Sequence, residues 1–171
     1  EKIGGKKLYE YLKKFGVGEP TGLDLPGEQT GYIPPPEEWS DTTFPTLAFG
    51  QGMSLTAIQI ANAAATIGND GVPVQPQIVD FFIKPTATTE TTSPVEGEPV
   101  IKPETAQTMQ RMMQMVVGEG GTAKVAEVPG YLVGGKTGTA QRYDESCGCY
   151  SGYTASFMAM APADDPQLVV G

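Results

Sequence analysis

The spacing of hydrophobic residues predicts two helices in the first part of the chain. In residues 1–15, apolar side chains recur three or four positions apart with lysines between them, as on one face of an amphipathic helix. Gly16 is a suitable residue to end this helix. In residues 56–68, Thr56 and Gln59 have the spacing of a capping box, which marks a helix start. The alanines that follow indicate a buried helix that its neighbours approach closely.

A third helix is predicted to begin at Pro103, because proline is favoured in the first helical turn, and to end at residues 118–121. Its methionines recur at helical spacing, which favours core packing over a soft binding surface. A further short helix is expected over residues 122–128. Trp39, the only tryptophan, lies in a polar stretch. We interpret it as a core plug or lid rather than as a platform for a ligand.

Other apolar runs predict strands. Residues 72–83 alternate in polarity and predict one or two short strands interrupted by two prolines. Residues 131–133 are expected to lead a strand out of the core into residues 134–141. Residues 153–161 and 168–170 are expected to form a hairpin beside that strand. The expected fold class is therefore α+β, an antiparallel sheet with helices packed on it.

Residues 84–101 differ in composition from the rest of the chain. They contain many threonines, prolines and glutamates and few large apolar side chains. Such a segment cannot offset the entropy of ordering by burying apolar surface. It is predicted to be a mobile surface insertion or hairpin, and a role in partner binding is the less favoured interpretation.

Composition and charge exclude several classes of function. Hydrophobic residues make up 39% and charged residues 18% of 171 residues, as in a globular domain. The formal net charge of −9 argues against a nucleic-acid-binding surface, which needs a basic patch. No run of 18 apolar residues that could span a membrane occurs in this sequence. The absence of histidine removes every histidine-based catalytic arrangement, and no cofactor is predicted.

Cys147 and Cys149 are separated by a single glycine. A dithiol or a disulfide at the tip of a loop is the favoured interpretation, and a disulfide would suit a location outside the cytoplasm. A metal site is the second interpretation. It is less favoured because, without histidine, the site would need carboxylates such as those of Asp144 and Glu145.

The candidate chemistry of the chain is concentrated in Gly134-Gly135-Lys136-Thr137-Gly138-Thr139-Ala140-Gln141. An edge strand of small residues allows another backbone to approach and to add as a neighbouring strand. Lys136 supplies a positive charge, and the hydroxyls of Thr137 and Thr139 share one face at strand spacing. This combination suits a peptide that ends in a carboxylate.

Several strings in the sequence occur in the order found in one known family. Lys136-Thr137-Gly138 resembles the third motif of penicillin-binding transpeptidases and serine β-lactamases. The further strings are Phe-Gly-Gln-Gly-Met at 49–53, the helix at 56–67, Glu-Gly-Gly-Thr-Ala at 119–123, Ala-Ser-Phe at 155–157 and Ala-Pro-Ala-Asp at 161–164. Together they resemble the second half of the transpeptidase domain of class B penicillin-binding proteins. The resemblance covers nearly the whole chain apart from about residues 84–101.

The resemblance implies a partial penicillin-binding, serine β-lactamase-like fold and the D,D-transpeptidase reaction of peptidoglycan synthesis, without a cofactor. The implied ligands are the D-alanyl-D-alanine stem peptide and β-lactam antibiotics, which mimic it. Lys136 and Thr139 are the implied catalytic residues: Lys136 polarises the site, and the Thr139 N–H supplies half of an oxyanion hole. Thr137 and Thr139 would bind the terminal carboxylate, Gly138 would let the ligand approach, and Gln141 is a weaker substrate-binding candidate.

Two motifs of the family are absent from the sequence. No serine is followed by lysine three residues later, as the nucleophile motif requires, or by asparagine two residues later, as the second motif requires. The chain is therefore expected to be the C-terminal portion of a transpeptidase domain, truncated at both ends. The N-terminal half would be its partner, and the chain alone is predicted to be inactive. The family implies the extracytoplasmic face of the bacterial cytoplasmic membrane, with an anchor outside this sequence.

Three alternatives to the transpeptidase remain at this point. A β-lactamase or β-lactam sensor domain shares the Lys-Thr-Gly motif. A non-catalytic scaffold or interaction module would have kept this half of the fold without the nucleophile. A chance likeness within an unrelated binding domain is disfavoured by the ordered string matches.

Overall fold

A computed structural model of the chain describes residues 3–23 and 25–171. The α-helices in this part of the chain are α1 (Gly5–Lys14), α2 (Thr43–Leu47), α3 (Ala57–Gly68) and α4 (Pro103–Val117). Short 3-10 helices cover Pro36–Glu38 and Lys124–Ala126. None of these helices has both the length and the apolar composition needed to cross a bilayer.

The strands of the described residues form two antiparallel sheets. β1 (Phe81–Ile83) pairs with β2 (Thr89–Thr91) in a small hairpin. β3 (Gly134–Asp144), β4 (Cys149–Ala161) and β5 (Leu168–Val170) form a three-stranded sheet in that order. Helices α3 and α4 pack on this larger sheet, so the predicted α+β architecture is confirmed.

The predicted helix boundaries are largely confirmed. α1 begins at Gly5, and the first two residues of its predicted range lie outside the described residues. It stops before Gly16, whose φ of +87° is readily adopted by glycine. The capping box of α3 is present: the Gln59 N–H donates to Thr56 Oγ1 at 3.2 Å, and the Thr56 N–H donates to Gln59 Oε1 at 2.9 Å. α4 begins at Pro103 as predicted.

Three predicted elements were wrong in extent. Residues 131–133 do not continue a strand from the core, because they follow a turn at Pro129-Gly130 and Tyr131 is 68% exposed. The buried end of the strand is Gly134-Gly135 itself. In residues 72–83 only Phe81–Ile83 is a strand, since the prolines remove ladder donors. The helix expected over residues 122–128 is reduced to the 3-10 turn Lys124–Ala126.

Residues 84–101 contain part of the predicted hairpin. The strands of this hairpin, β1 and β2, are exposed along their whole length. The end of the segment is anchored, in contrast to the expectation for the whole of it. Gly97 donates its N–H to the Pro73 carbonyl at 2.8 Å, and Val100 donates to the Gly71 carbonyl at 2.8 Å. Val100 is buried, so its burial helps to offset the entropy of ordering this end.

Within the part of the chain that the structure describes, two hydrophobic clusters form the core. The first cluster joins α3, α4 and the larger sheet, and its buried residues are Ala64, Ile67, Met113, Met160 and Ala163. The second cluster lies between α1, the loops and α2, and its buried residues are Val17, Ile33 and Leu47. Trp39 packs on the second cluster and donates its indole N–H to the Pro34 carbonyl at 2.8 Å, which confirms its interpretation as a core plug.

The methionines of α4 divide between core and solvent. Met113 is buried in the first cluster and Met109 packs against it, as the helical spacing predicts. Met112 and Met115 are 60% and 74% exposed, so the prediction of core packing was wrong for these two. Met112 and Met115 lie one and two positions from the buried Met113, and residues one or two apart point to different sides of a helix.

Candidate active-site wall on strand β3

Strand β3 lies at an edge of the three-stranded sheet. β4 pairs with one side of it, and no strand in the described residues pairs with the other side. The ladder between β3 and β4 runs without a register shift from Gly134 to Gln141, and the only irregularity lies between Gln141 and Tyr143. The Lys-Thr-Gly segment is therefore a regular strand with one open edge.

Two hydrogen bonds identify which backbone groups point to the open edge. The side-chain amide of Gln51 donates to the Gln141 carbonyl and accepts from the Gln141 N–H, each at 3.3 Å. Because the direction of backbone groups alternates along an antiparallel strand, the N–H and C=O groups of Thr137 and Thr139 point to the same edge. Lys136 Nζ donates to the Thr137 carbonyl at 2.6 Å, so its ammonium also lies at this edge.

The side chains of the motif divide between the two faces of β3. Thr137, Thr139 and Gln141 project from one face, and Lys136 and Gly138 belong to the other. The Lys136 side chain is exposed, and no carboxylate of the described residues lies within ion-pair distance of its ammonium. The site therefore presents an uncompensated positive charge beside two hydroxyls.

Helix α4 and the loop that follows it both contact strand β3. A Cβ on Gly134 would lie 3.4 Å from backbone atoms of Met113 and Gln114, so α4 packs directly against the start of β3. The hydroxyl of Thr137 lies 3.2 Å from the hydroxyl of Thr122, in the loop that follows α4. The position of the Lys-Thr-Gly motif is therefore tied to α4 and to its C-terminal loop.

A cleft of about 430 Å³ lies between the sheet and the loop of residues 49–55. Three of the five predicted site residues line it: Gly138, Thr139 and Gln141. Lys136 and Thr137 do not line the cleft but directly precede that lining on the strand. The arrangement can therefore hold an extended ligand beside β3, with a negative group near the cation and the hydroxyls.

Gly138 is closely opposed by its cross-strand partner. A Cβ on Gly138 would lie 2.5 Å from the hydroxyl oxygen of Ser156 and 3.8 Å from its Cβ. The sequence predicted that a small residue is needed here for ligand approach. The structure adds a second reason, because the hydroxyl of Ser156 occupies the space on this face of the strand.

The tip of the β3–β4 hairpin is closed by a disulfide between Cys147 and Cys149, so the second interpretation, a metal site at these sulfurs, was wrong. The carboxylate of Asp144 accepts hydrogen bonds from the hydroxyl and the backbone N–H of Ser146, at 2.6 and 2.9 Å. The hydroxyl bond, followed by the N–H bond, holds the pKa of Asp144 below its usual value. This carboxylate is thus committed to the turn.

Sequence reasoning assigned no role to three residues that the structure brings to the site: Gln51, Thr122 and Ser156. Each lies in one of the strings on which the family resemblance rests. That resemblance marked their segments, but nothing local in the sequence indicates that Gln51 reaches a strand 90 residues later. Such a contact depends on tertiary structure.

Comparison with known proteins places this geometry in one family. The family model "Penicillin binding protein transpeptidase domain" matches residues 1–171. The chain is 43% identical to the penicillin-binding protein PbpB of Mycolicibacterium smegmatis over 179 aligned residues, covering 100% of the chain and 28% of that protein. It is 42% identical to the stage V sporulation protein D of Bacillus subtilis, covering 99% of the chain and 26% of that protein.

Solved structures agree with these relatives. Penicillin-binding protein 3 of Mycobacterium tuberculosis, in its apo form, superposes with a TM-score of 0.92 at 40% identity, covering 98% of this chain and 39% of that one. The same protein has been solved in complex with aztreonam and with ampicillin. The chain thus spans about a quarter of the length of the curated relatives it matches. From the family match over all its residues, the chain belongs to the transpeptidase domains of penicillin-binding proteins, and its relatives are of class B.

Proposed function

We propose that the chain forms the Lys-Thr-Gly wall of the active site of a peptidoglycan D,D-transpeptidase. The single observation that carries the proposal is the open edge of β3, which carries the Lys136 ammonium and the outward backbone groups of Thr137 and Thr139 and leads into the cleft. A peptide can add to such an edge by main-chain hydrogen bonds. The names of the relatives, which are penicillin-binding proteins and transpeptidases, favour this function over a β-lactamase or a scaffold.

The proposed substrate is the D-alanyl-D-alanine end of a peptidoglycan stem peptide. Its terminal carboxylate would accept hydrogen bonds from the hydroxyls of Thr137 and Thr139, beside the positive charge of Lys136. Gly138 would allow the peptide to approach the strand, and Gln141 would contact it further along the same face. The nearby charge has no competing carboxylate among the described residues, which favours capture of an anion.

The proposed chemistry uses a serine from the N-terminal half of the domain. Its hydroxyl oxygen attacks the carbonyl carbon of the penultimate D-alanine, and the terminal D-alanine departs as an amine that takes up the proton. The N–H of Thr139 points to the open edge and would donate to the oxyanion formed at that carbonyl. An amine of a neighbouring stem peptide then attacks the ester, which forms the cross-link and frees the serine.

We also propose that β-lactam antibiotics react with the same serine, and that the protein acts on the extracytoplasmic face of the bacterial cytoplasmic membrane. The complexes of the tuberculosis protein with aztreonam and ampicillin support the first proposal by similarity. The disulfide at the hairpin tip supports the second, because disulfides persist in oxidising compartments.

Labelling with a fluorescent penicillin tests this function. The protein with its complete transpeptidase domain is expected to give a covalent band that persists for hours, whereas a β-lactamase would release the label within minutes. The 171-residue chain alone is expected to remain unlabelled. Lys136→Ala should slow labelling about 100-fold or more, the range found when a group that assists proton transfer or stabilises charge is lost.

Lys124→Ala provides a matched control, because Lys124 is also exposed but lies outside the cleft. It should label at the wild-type rate. Equal slowing of labelling in the two lysine variants, or an unlabelled wild-type protein, would contradict the proposed function.

A further inference from the structure

The side chain of Gln51 makes the hydrogen bonds of a neighbouring β-strand at one position of the open edge, Gln141. Its side-chain amide donates to the Gln141 carbonyl and accepts from the Gln141 N–H, each at 3.3 Å. These are the two hydrogen bonds that one residue of an added antiparallel strand would make. The backbone of Gln141 is therefore already paired, although it lies on the unpaired side of the sheet.

The loop that carries Gln51 is held independently of the β3–β4 hairpin. The Gln51 N–H donates to the Thr46 carbonyl at 3.0 Å, at the end of α2. Further along the loop, Ser54 and Tyr32 exchange two backbone hydrogen bonds, each at 2.9 Å. The amide of Gln51 is thus presented to β3 from a loop anchored to α2 and to Tyr32.

The consequence is a short usable edge. Between Gly135 and Gln141, the residues whose backbone groups point outwards are Thr137 and Thr139. The Thr137 carbonyl already accepts from Lys136 Nζ, at 2.6 Å. What remains is one N–H on each threonine and the Thr139 carbonyl. This set spans about 7 Å of strand, the length of two extended residues.

The cleft indicates the direction of the bound peptide. Its lining runs from Gly138 to Gln141 and does not include the start of β3. A peptide whose carboxylate lies between the hydroxyls of Thr137 and Thr139 therefore extends towards Gln141. At about 3.4 Å per residue, its third residue from the C-terminus reaches the level of Gln141, where Gln51 occupies the edge.

We propose that Gln51 is a specificity-determining residue that restricts main-chain pairing of the donor peptide to its terminal dipeptide. This inference rests on the proposed function and adds a limit on how many residues of the donor peptide can pair with the strand. Residues upstream of the dipeptide leave the strand at Gln141, so the site tolerates variation in them. Gln51 acts on the reaction through the strand edge and is not itself a catalytic residue.

The test compares two donors in the protein with its complete transpeptidase domain. One donor is an acylated D-alanyl-D-alanine dipeptide, and the other is a pentapeptide with the same C-terminus. In the Gln51→Ala variant, the vacated edge at Gln141 can pair with the longer donor. The ratio of kcat/KM for pentapeptide over dipeptide should therefore rise about two- to tenfold, the value of about one neutral hydrogen bond.

Gln77→Ala is the matched control, since the side-chain amide of Gln77 likewise donates to a backbone carbonyl, that of Ser93 at 2.7 Å, and lies outside the cleft. Its ratio should equal that of the wild type. If Gln51→Ala slowed the reaction of both donors equally and left the ratio of their kcat/KM values unchanged, Gln51 would only hold its loop against β3. That result would overturn the proposal. In that case the wild-type protein still labels with penicillin, so the proposed function stands.

Gln51→Glu keeps the test decisive if the alanine variant does not fold. The carboxylate retains an acceptor for the Gln141 N–H but loses the donor to the Gln141 carbonyl. Hydrogen exchange at the Gln141 amide should therefore stay slow. The ratio of kcat/KM for pentapeptide over dipeptide should rise above the wild-type value, but less than in a folded Gln51→Ala variant. No change in the ratio would count against the proposal.

Discussion

Gln59 shows how much of the fold can depend on one polar side chain. It is 2% exposed, and its amide nitrogen lies within hydrogen-bond distance of three carbonyls, those of Gly16, Glu19 and Thr30, at 3.1, 2.8 and 2.7 Å. Its amide oxygen accepts from the Thr56 N–H at 2.9 Å. The same side chain thus caps α3 and holds two loops that precede it by up to 43 residues.

Replacement of Gln59 by methionine, which has a similar length but no amide, is expected to destabilise the domain by about 2–4 kcal/mol. The loss follows because buried backbone groups left without a partner cost about 1–3 kcal/mol each, and water can satisfy only those near the surface. Chemical unfolding of the complete transpeptidase domain measures this change. Gln107→Met, at an exposed position of α4, should change the free energy of unfolding by no more than about 0.5 kcal/mol.

Of the two roles of Gln59, the sequence predicts the capping of α3 but not the contacts with the loops. The spacing of Thr56 and Gln59 predicts the capping box, because that contact is local. The carbonyls of the two loops could not be predicted, since they become neighbours only after the chain has folded. An equal loss of stability in Gln59→Met and Gln107→Met would show that these long-range contacts contribute nothing.

At the scale of elements, the pairing of β3 with β4 positions the candidate active-site wall. The strand over residues 134–141 and its hairpin partner were predicted from apolar runs in the sequence and from the family motif. The predicted lead-in at residues 131–133 was wrong, because apolar composition alone does not distinguish a buried strand from an exposed turn. What makes the start of β3 buried is the absence of side chains at Gly134 and Gly135, which lets neighbouring elements pack on the backbone.

Gly135→Ala is expected to weaken the sheet by about 1–3 kcal/mol, as overpacking of a tight site does. A Cβ on Gly135 would lie 2.6 Å from the Phe157 ring and 2.7 Å from the Met158 carbonyl oxygen. The backbone oxygen cannot move without disturbing the ladder, so the strain cannot be relieved by rotation of a side chain. Thermal unfolding of the complete domain reports the loss.

Gly138→Ala is the matched comparison, being the same substitution three residues along the same strand. A Cβ there meets chiefly the hydroxyl oxygen of Ser156, which can rotate away about its side-chain bond. Its cost in unfolding free energy should therefore be smaller, below about 1 kcal/mol. If Gly138→Ala were as destabilising as Gly135→Ala, the explanation from the fixed Met158 carbonyl would be incorrect.

At the scale of the whole molecule, helix α3 connects the two hydrophobic clusters. Its Ala64 and Ile67 belong to the first cluster, while Gln59 near its start holds the loops around the second. The helical pattern predicted α3 and α4, but the assignment of their residues to separate clusters depends on how the helices pack. The exposed Met112 and Met115 show this, because helical spacing alone suggested that all the methionines face the core.

If α3 couples the two clusters, a cavity in the first cluster should lower the free energy of opening of both. Met160 is 1% exposed in the first cluster, and Met160→Ala is expected to cost about 2–5 kcal/mol. Native-state hydrogen exchange of the complete domain should then accelerate by the same factor in α4 and in the segment around Ile33 and Leu47, because both open in one cooperative unit. Met115→Ala, the same substitution at a residue 74% exposed, should accelerate neither. Acceleration confined to α4 and the sheet would mean that the second cluster unfolds separately, and that the bridge through Gln59 and α3 does not couple the two clusters.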